Sequence, residues 1–134
     1  MFIVRPIQIK EEQKIICDVL ECEYFENSLA FYSADLKSDN TTIDSYIGIC
    51  QFYFSGEAEI VSFFACDGRE NDEAVIVMLR AAMSFMHRCG VKIVCFKKGA
   101  ATDFWLKKSG FIFKDGSYYM DLERFYASTC NHGE

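Results

Sequence analysis

The chain has 134 residues and a single proline, and its 51% hydrophobic and 16% aromatic residues suffice for one domain with its own core, which excludes a disordered or fibrous class. A net charge of −6 works against nucleic acid, whose affinity rests on Lys and Arg displacing counterions. No stretch approaches the roughly 20 uncharged apolar residues of a membrane helix, and the opening apolar run is too short for an export signal.

In chain order, Met1–Ile7 reads as a strand stopped by Pro6. Glu11–Phe25 follows as a helix with Ile15, Ile16, Val19, Leu20 and Tyr24 at helical spacing. Ser28–Asp35 is a strand, and the polar segment Lys37–Thr42 is its turn. Tyr46–Phe54 and Ala58–Cys66, aromatic and β-branched, flank Ser55-Gly56-Glu57 as a long antiparallel hairpin. Both arms are apolar on both faces, which predicts central strands covered by helices on each side. Asn71 can cap a helix over Ala74–Arg88 that is apolar nearly all round and ends at Gly90. Val91–Phe96 reads as a buried strand and Thr102–Lys108 as a short capped helix. Phe111–Phe113 and Tyr118–Leu122 form a last hairpin, before a tail from Ser128. The predicted class is α/β (α+β), one domain over residues 1–134 with a mixed sheet and helices on both faces.

The seven cysteines are scattered without a Cys-x-x-Cys pair or a histidine cluster, so no zinc site is expected. They read as small reduced apolar residues of a cytoplasmic protein, with Cys66 the one beside a candidate loop. That loop, Asp67–Glu73, is acidic but lacks the Asp-x-Asp-x-Asp-Gly order of a calcium site, and no metal is expected there. Lys97, Lys98, Lys107, Lys108 and Lys114 read as solvated lysines or as a patch for a phosphorylated ligand, and His87 as a dipole partner at a helix end.

Two stretches carry a family likeness. Ile60, Phe63 and Ala65 followed by Met78-Leu79-Arg80-Ala81-Ala82 form one, and Ala101, Phe104, Trp105, Lys107, Gly110 and Phe111 form the other. With the order of elements they resemble the GNAT-type N-acetyltransferase superfamily across Phe2–Phe125. The resemblance implies a GNAT-like acyl-CoA N-acyltransferase fold and transfer of an acyl group from acetyl-CoA to an amine. It further implies that the splay between Ala58–Cys66 and Val91–Phe96 holds the pantetheine arm. On this basis Phe64, Ala65, Cys66, Asn71, Asp72, Glu73, Ala74, Phe104 and Trp105 are the cofactor-binding candidates. Glu59 is the candidate general base.

The chain departs from the pattern at the pyrophosphate loop. Glu70, Glu73 and Val75 stand where the family places Gln or Arg, a glycine and a second small residue. Asp67, Glu70, Asp72 and Glu73 outweigh Arg69, so the loop should repel phosphate, and its carboxylates should cap the helix themselves. Lys98 replaces a frequent Asn, and Trp105 a Tyr that would protonate the thiolate. The alternative expectation is an inactive ligand-binding or protein-interaction module whose partner is a small-molecule amine or another protein. A homodimer through the apolar hairpin or the Tyr118–Leu122 strand is also expected.

Overall fold

The computed structural model describes residues 1–70, 72–97, 99 and 110–132, so the predicted helix Thr102–Lys108, the cap Asn71 and residues Lys98, Phe104 and Trp105 lie outside the described residues. The elements are β1 (Phe2–Pro6), α1 (Lys10–Leu20), β2 (Leu29–Leu36), β3 (Ile43–Ser55), β4 (Glu57–Ala65), α2 (Glu73–Arg88), β5 (Ile93–Phe96), β6 (Ile112–Lys114), β7 (Ser117–Asp121) and α3 (Leu122–His132). They build a seven-stranded mixed sheet in the order β1-β2-β3-β4-β5-β7-β6. Among the described strands only the β4–β5 pair is parallel.

The doubly apolar hairpin is central, as its composition requires. On one face Phe31, Ile47, Phe52, Ile60 and Phe96 pack under α2 and α3, and on the other Ala30, Tyr32, Ala34 and Ile49 pack under α1. Each central strand therefore buries both sides. β7 lies inside the sheet with β6 beyond it, so neither the hairpin nor the Tyr118–Leu122 segment supplies the open edge expected of them. β6 does, with Ile112 and Phe113 exposed.

α1 is shorter than its apolar spacing predicts. Its buried stripe is Gln13, Ile16, Cys17 and Leu20, while Ile15 and Val19 are 57% and 58% exposed. The chain leaves the helix at Glu21, which has a left-handed φ of 58°. The Glu21 N–H donates to the Asp18 carbonyl and the Cys22 N–H to the Cys17 carbonyl, the paired bonds of a Schellman turn. Tyr24 is thus off the helix, packed on the α1-side core beneath Lys14. A side chain at positive φ is strained, so Glu21→Gly should raise stability by about 0.5–1 kcal/mol in urea unfolding.

The segment from Ser128, expected to be a tail, belongs to α3. Leu122, Phe125 and Tyr126 at spacing 0, 3, 4 meet the core, the Arg124 N–H donates to Asp121 Oδ1 at the first turn, and Tyr126 stacks on His87 at 4.4 Å. His87 therefore has a packing partner in addition to its place at the end of α2.

Candidate functional site

β4 and β5 pair only over Ala58–Ile60 with Val94–Phe96, and the last bond between them runs from the Lys97 N–H to the Ile60 carbonyl at 2.9 Å. On the opposite edge of β4, Gln51 pairs with Ser62 and Phe52 with Ile60, which leaves Val61 as the extra residue of a β-bulge. A bulge bends and over-twists its strand. Here it falls where β5 lets go. From Val61 to Ala65 no described strand lies on the far edge of β4.

The gap is a cleft of about 350 Å³ with Val61–Phe64 along its floor, Lys97 and Gly99 on the β5 side, and Cys22, Glu23 and Phe25 as its third wall. That wall is loop, and a buried polar network fixes it. Gln51 Nε2 donates to the Glu23 carbonyl at 2.8 Å, and Gln51 Oε1 accepts from the Phe25 N–H at 3.0 Å and from Gln13 Nε2 at 2.8 Å. Gln13 Nε2 also donates to Ser28 Oγ, and that hydroxyl donates to the Phe25 carbonyl. No buried side-chain nitrogen or oxygen among the described residues is left without a partner. Lys97 Nζ sits over the Phe25 ring at 5.0 Å and bridges the mouth of the cleft.

The loop after β4 is closed by its own cation. Arg69 Nη1 donates to Asp35 Oδ2 at 2.8 Å and its Nε to Asp72, while the Arg69 N–H bonds the Cys66 carbonyl and the Asp72 N–H the Arg69 carbonyl. Asp72 is the residue before α2, and its carboxylate makes no cap bond to the helix. The expected self-capping is thus corrected at Asp72, whose side chain turns to Arg69. With Arg69 held between two carboxylates, it no longer offers a free cation against Asp67 and Glu73 in the loop.

Arg69 beside Asp35 holds the Asp35 carboxyl below the usual aspartate range. A folded value lowered this way stabilises above the unfolded value of about 3.9, and the contribution is lost as pH falls through the lower folded value. Both partners are about one-third exposed, so solvent screens the pair. Arg69→Gln should cost about 0.5–1 kcal/mol at pH 7 and progressively less as pH falls below the unfolded aspartate value, measured by thermal unfolding across that range.

The candidate residues part company. Phe64 lines the cleft. Ala65 packs on the α2-side core and Ala74 is 2% exposed within it, so neither side chain faces the cleft. Cys66 donates its N–H to the Ile47 carbonyl and, with Asp67, lines a second hollow of about 670 Å³ on the other side of Phe64. Glu21, Asp44 and Asp67 line that hollow, and among the described residues no lysine or arginine does. Asp72 and Glu73 open α2. Glu59, on the paired part of β4, lines a separate hollow with Asn27, Tyr53 and Glu57. The acidic residue that lines the cleft is Glu23, which the helix prediction over Glu11–Phe25 conceals. Cys22, Phe25 and Ser62 were missed with it, and Lys97, read as a solvated lysine or part of a phosphate patch, lines the cleft.

No family model and no curated protein sequence matches the chain. Solved structures do. The structure described as the NatC complex bound to Gag peptide and CoA aligns with a TM-score of 0.66 at 13% identity, over 90% of this chain and 98% of that one. Mutant forms of the spermidine/spermine N-acetyltransferase SpeG from Vibrio cholerae align at 0.65 and 10%, over 96% and 99%. IAA acetyltransferase from Bacillus cereus aligns at 0.64 and 13%, over 90% and 99%. At such identities the likeness is one of architecture: the mixed seven-stranded sheet with helices on both faces, parted between β4 and β5, has the fold of the GNAT acyl-CoA N-acyltransferases.

Proposed function

We propose that the chain transfers an acyl group from a pantetheine thioester to an amine in the β4–β5 cleft, and that nucleotide phosphates contribute little to donor binding. The parting of the strands at the Val61 bulge carries this reading, because it leaves an extended backbone edge beside an aromatic-lined groove, which suits a long, amide-bearing arm. The acetyl-CoA expected from the sequence fits there only in part. The arm matches the cleft, while the pyrophosphate would meet the acidic loop whose arginine is already bound to Asp35 and Asp72.

A thioester bound in the groove supplies the electrophilic acyl carbon. The chain's own part is to hold the arm along Val61–Ala65 and to shield it beneath Lys97 and Phe25. Glu23, which lines the cleft, takes the proton of the incoming amine as its nitrogen bonds to the acyl carbon, and the C–S bond breaks to release the pantetheine thiolate to solvent. The carboxylates of Glu21, Asp44 and Asp67 draw a cationic amine to the neighbouring hollow. The Arg69 clasp also favours a second reading, a non-catalytic module that binds a ligand in the same groove.

Calorimetric titration with acetyl-pantetheine and acetyl-CoA tests the proposal. The two should bind within about threefold of each other, since the loop adds little phosphate affinity. Acetyl-CoA binding more than about tenfold tighter would show a working phosphate site and overturn the loop assignment, and no heat from either at millimolar concentration would overturn donor binding altogether. If both bind but an amine panel yields no acylated product, the module reading stands. Glu23→Gln should lower turnover at least tenfold with donor affinity unchanged.

A further inference from the structure

Among the described cysteines, Cys17 and Cys22 come together. The Schellman turn that ends α1 brings Cys22 back over Cys17, with the Cys22 N–H donating to the Cys17 carbonyl at 3.0 Å, and the Cys22 side chain packs on the core cluster that contains Cys17. In most such turns apolar side chains make this contact between the residue after the turn and the last helical turn. Here both are sulfur. The backbone bond holds the two Cα atoms within roughly 7 Å, the reach of a disulfide, without moving the helix or the loop.

We propose that Cys17 and Cys22 form a reversible intramolecular disulfide on exposure to a small-molecule disulfide, so that the wall of the β4–β5 cleft carries a modification site. Cys17 is buried at 1% exposure, whereas Cys22 is half-buried and lines the cleft, so Cys22 is the sulfur an oxidant reaches first. With oxidised glutathione, the Cys22 thiolate attacks one sulfur of the glutathione disulfide, forms a mixed disulfide and releases one glutathione thiolate. Cys17, losing its proton, then displaces the second glutathione from Cys22. Two protein thiols are oxidised and one glutathione disulfide is reduced to two thiols. Burial raises both cysteine thiols, Cys17 to about 12, so the exchange is slow at neutral pH. The consequence reaches the cleft through the chain: Glu23 follows Cys22 directly, and its carbonyl is one of the two anchors held by Gln51. The proposal does not depend on the acyl-transfer reading, since it rests on the turn alone.

The test treats the folded full chain with oxidised glutathione, quenches with acid, alkylates, and maps the tryptic peptide Ile15–Lys37, which contains these two cysteines and no other. The expected result is a peptide lighter by two hydrogens that takes up no alkylating agent, and that regains both alkylation sites after reduction. The Cys17→Ser variant should instead retain one glutathione on Cys22, and Cys22→Ser should leave Cys17 unmodified under the same treatment. A wild-type peptide that keeps glutathione on Cys22 with Cys17 still alkylated, or that alkylates fully at both positions, would overturn the proposal. So would a Cys17→Ser chain that shows the same loss of alkylation at Cys22 without carrying glutathione.

Discussion

Gly48→Val should lower the free energy of unfolding by roughly 2–4 kcal/mol, the upper part of the range for overpacking a core. A Cβ at Gly48 would lie 2.6 Å from the Phe64 carbonyl oxygen and 3.3 Å from Met78 Cε. Met78 can move its end, but the Phe64 oxygen is backbone within the β3–β4 ladder. Gly48 stands between Ser33 on β2 and Ala65 on β4, a row of small residues over which α2 settles, with Ser33 Oγ 3.7 Å from Met78 Sδ. A larger residue there must lift the helix or displace β4 near Ala65. Gly48→Ala should fall between wild type and valine, because the cost is steric and grows with each added carbon. Urea denaturation with an unchanged slope measures it; a loss under about 0.5 kcal/mol for valine would mean that α2 does not sit this close.

Much of this architecture is legible in the sequence because the responsible residues are neighbours. Tyr46–Phe54 and Ala58–Cys66 announce a doubly covered hairpin by composition, and the apolar run through Met78–Met86 announces the helix over it. What the sequence hides depends on residues far apart or on conformations without a marker. The left-handed turn after α1 is taken by Glu21 instead of glycine, so the helix seemed to run through Phe25 and the cleft wall was lost inside it. The bulge at Val61 has no glycine or proline to mark it, and it exists only as a mismatch between the Gln51–Ser62 and Phe52–Ile60 pairs. Arg69 was legible as one cation among four carboxylates. Its clasp was not, since Asp35 lies 34 residues earlier and on another strand. α3 was readable and misread: Leu122, Phe125 and Tyr126 have helical spacing after a capping aspartate, but the strand-like Tyr118–Leu122 run claimed the first of them. The parts least visible are thus the ones that shape the cleft, because a cleft is made where regular pairing stops.

Gln51→Ala should cost roughly 2–4 kcal/mol and loosen the cleft wall before it unfolds the chain. Gln51 is 0% exposed on the α1 face of β3 between the buried Cys50 and Phe52, a position a purely stabilising core would give to leucine or isoleucine. It is tolerated because its amide is fully used: the carbonyl oxygen takes Gln13 and the Phe25 amide, and the nitrogen gives to the Glu23 carbonyl. Truncation leaves a cavity and strips partners from three groups. Leucine is the informative control, since it restores the volume but none of the bonds. If the polar network is what matters, Gln51→Leu should be destabilised by at least half as much as Gln51→Ala, and the Phe25 amide should exchange with deuterium at least tenfold faster in both variants. Amides in the β3–β4 ladder should keep their wild-type protection at low denaturant. A leucine variant as stable as wild type, with the Phe25 amide still protected, would show that packing alone holds residues 22–25. If the network holds them, acetyl-pantetheine should bind less tightly to the leucine variant while its β3–β4 amides stay protected, because the groove would then have lost one of its walls without losing the strand that forms its floor.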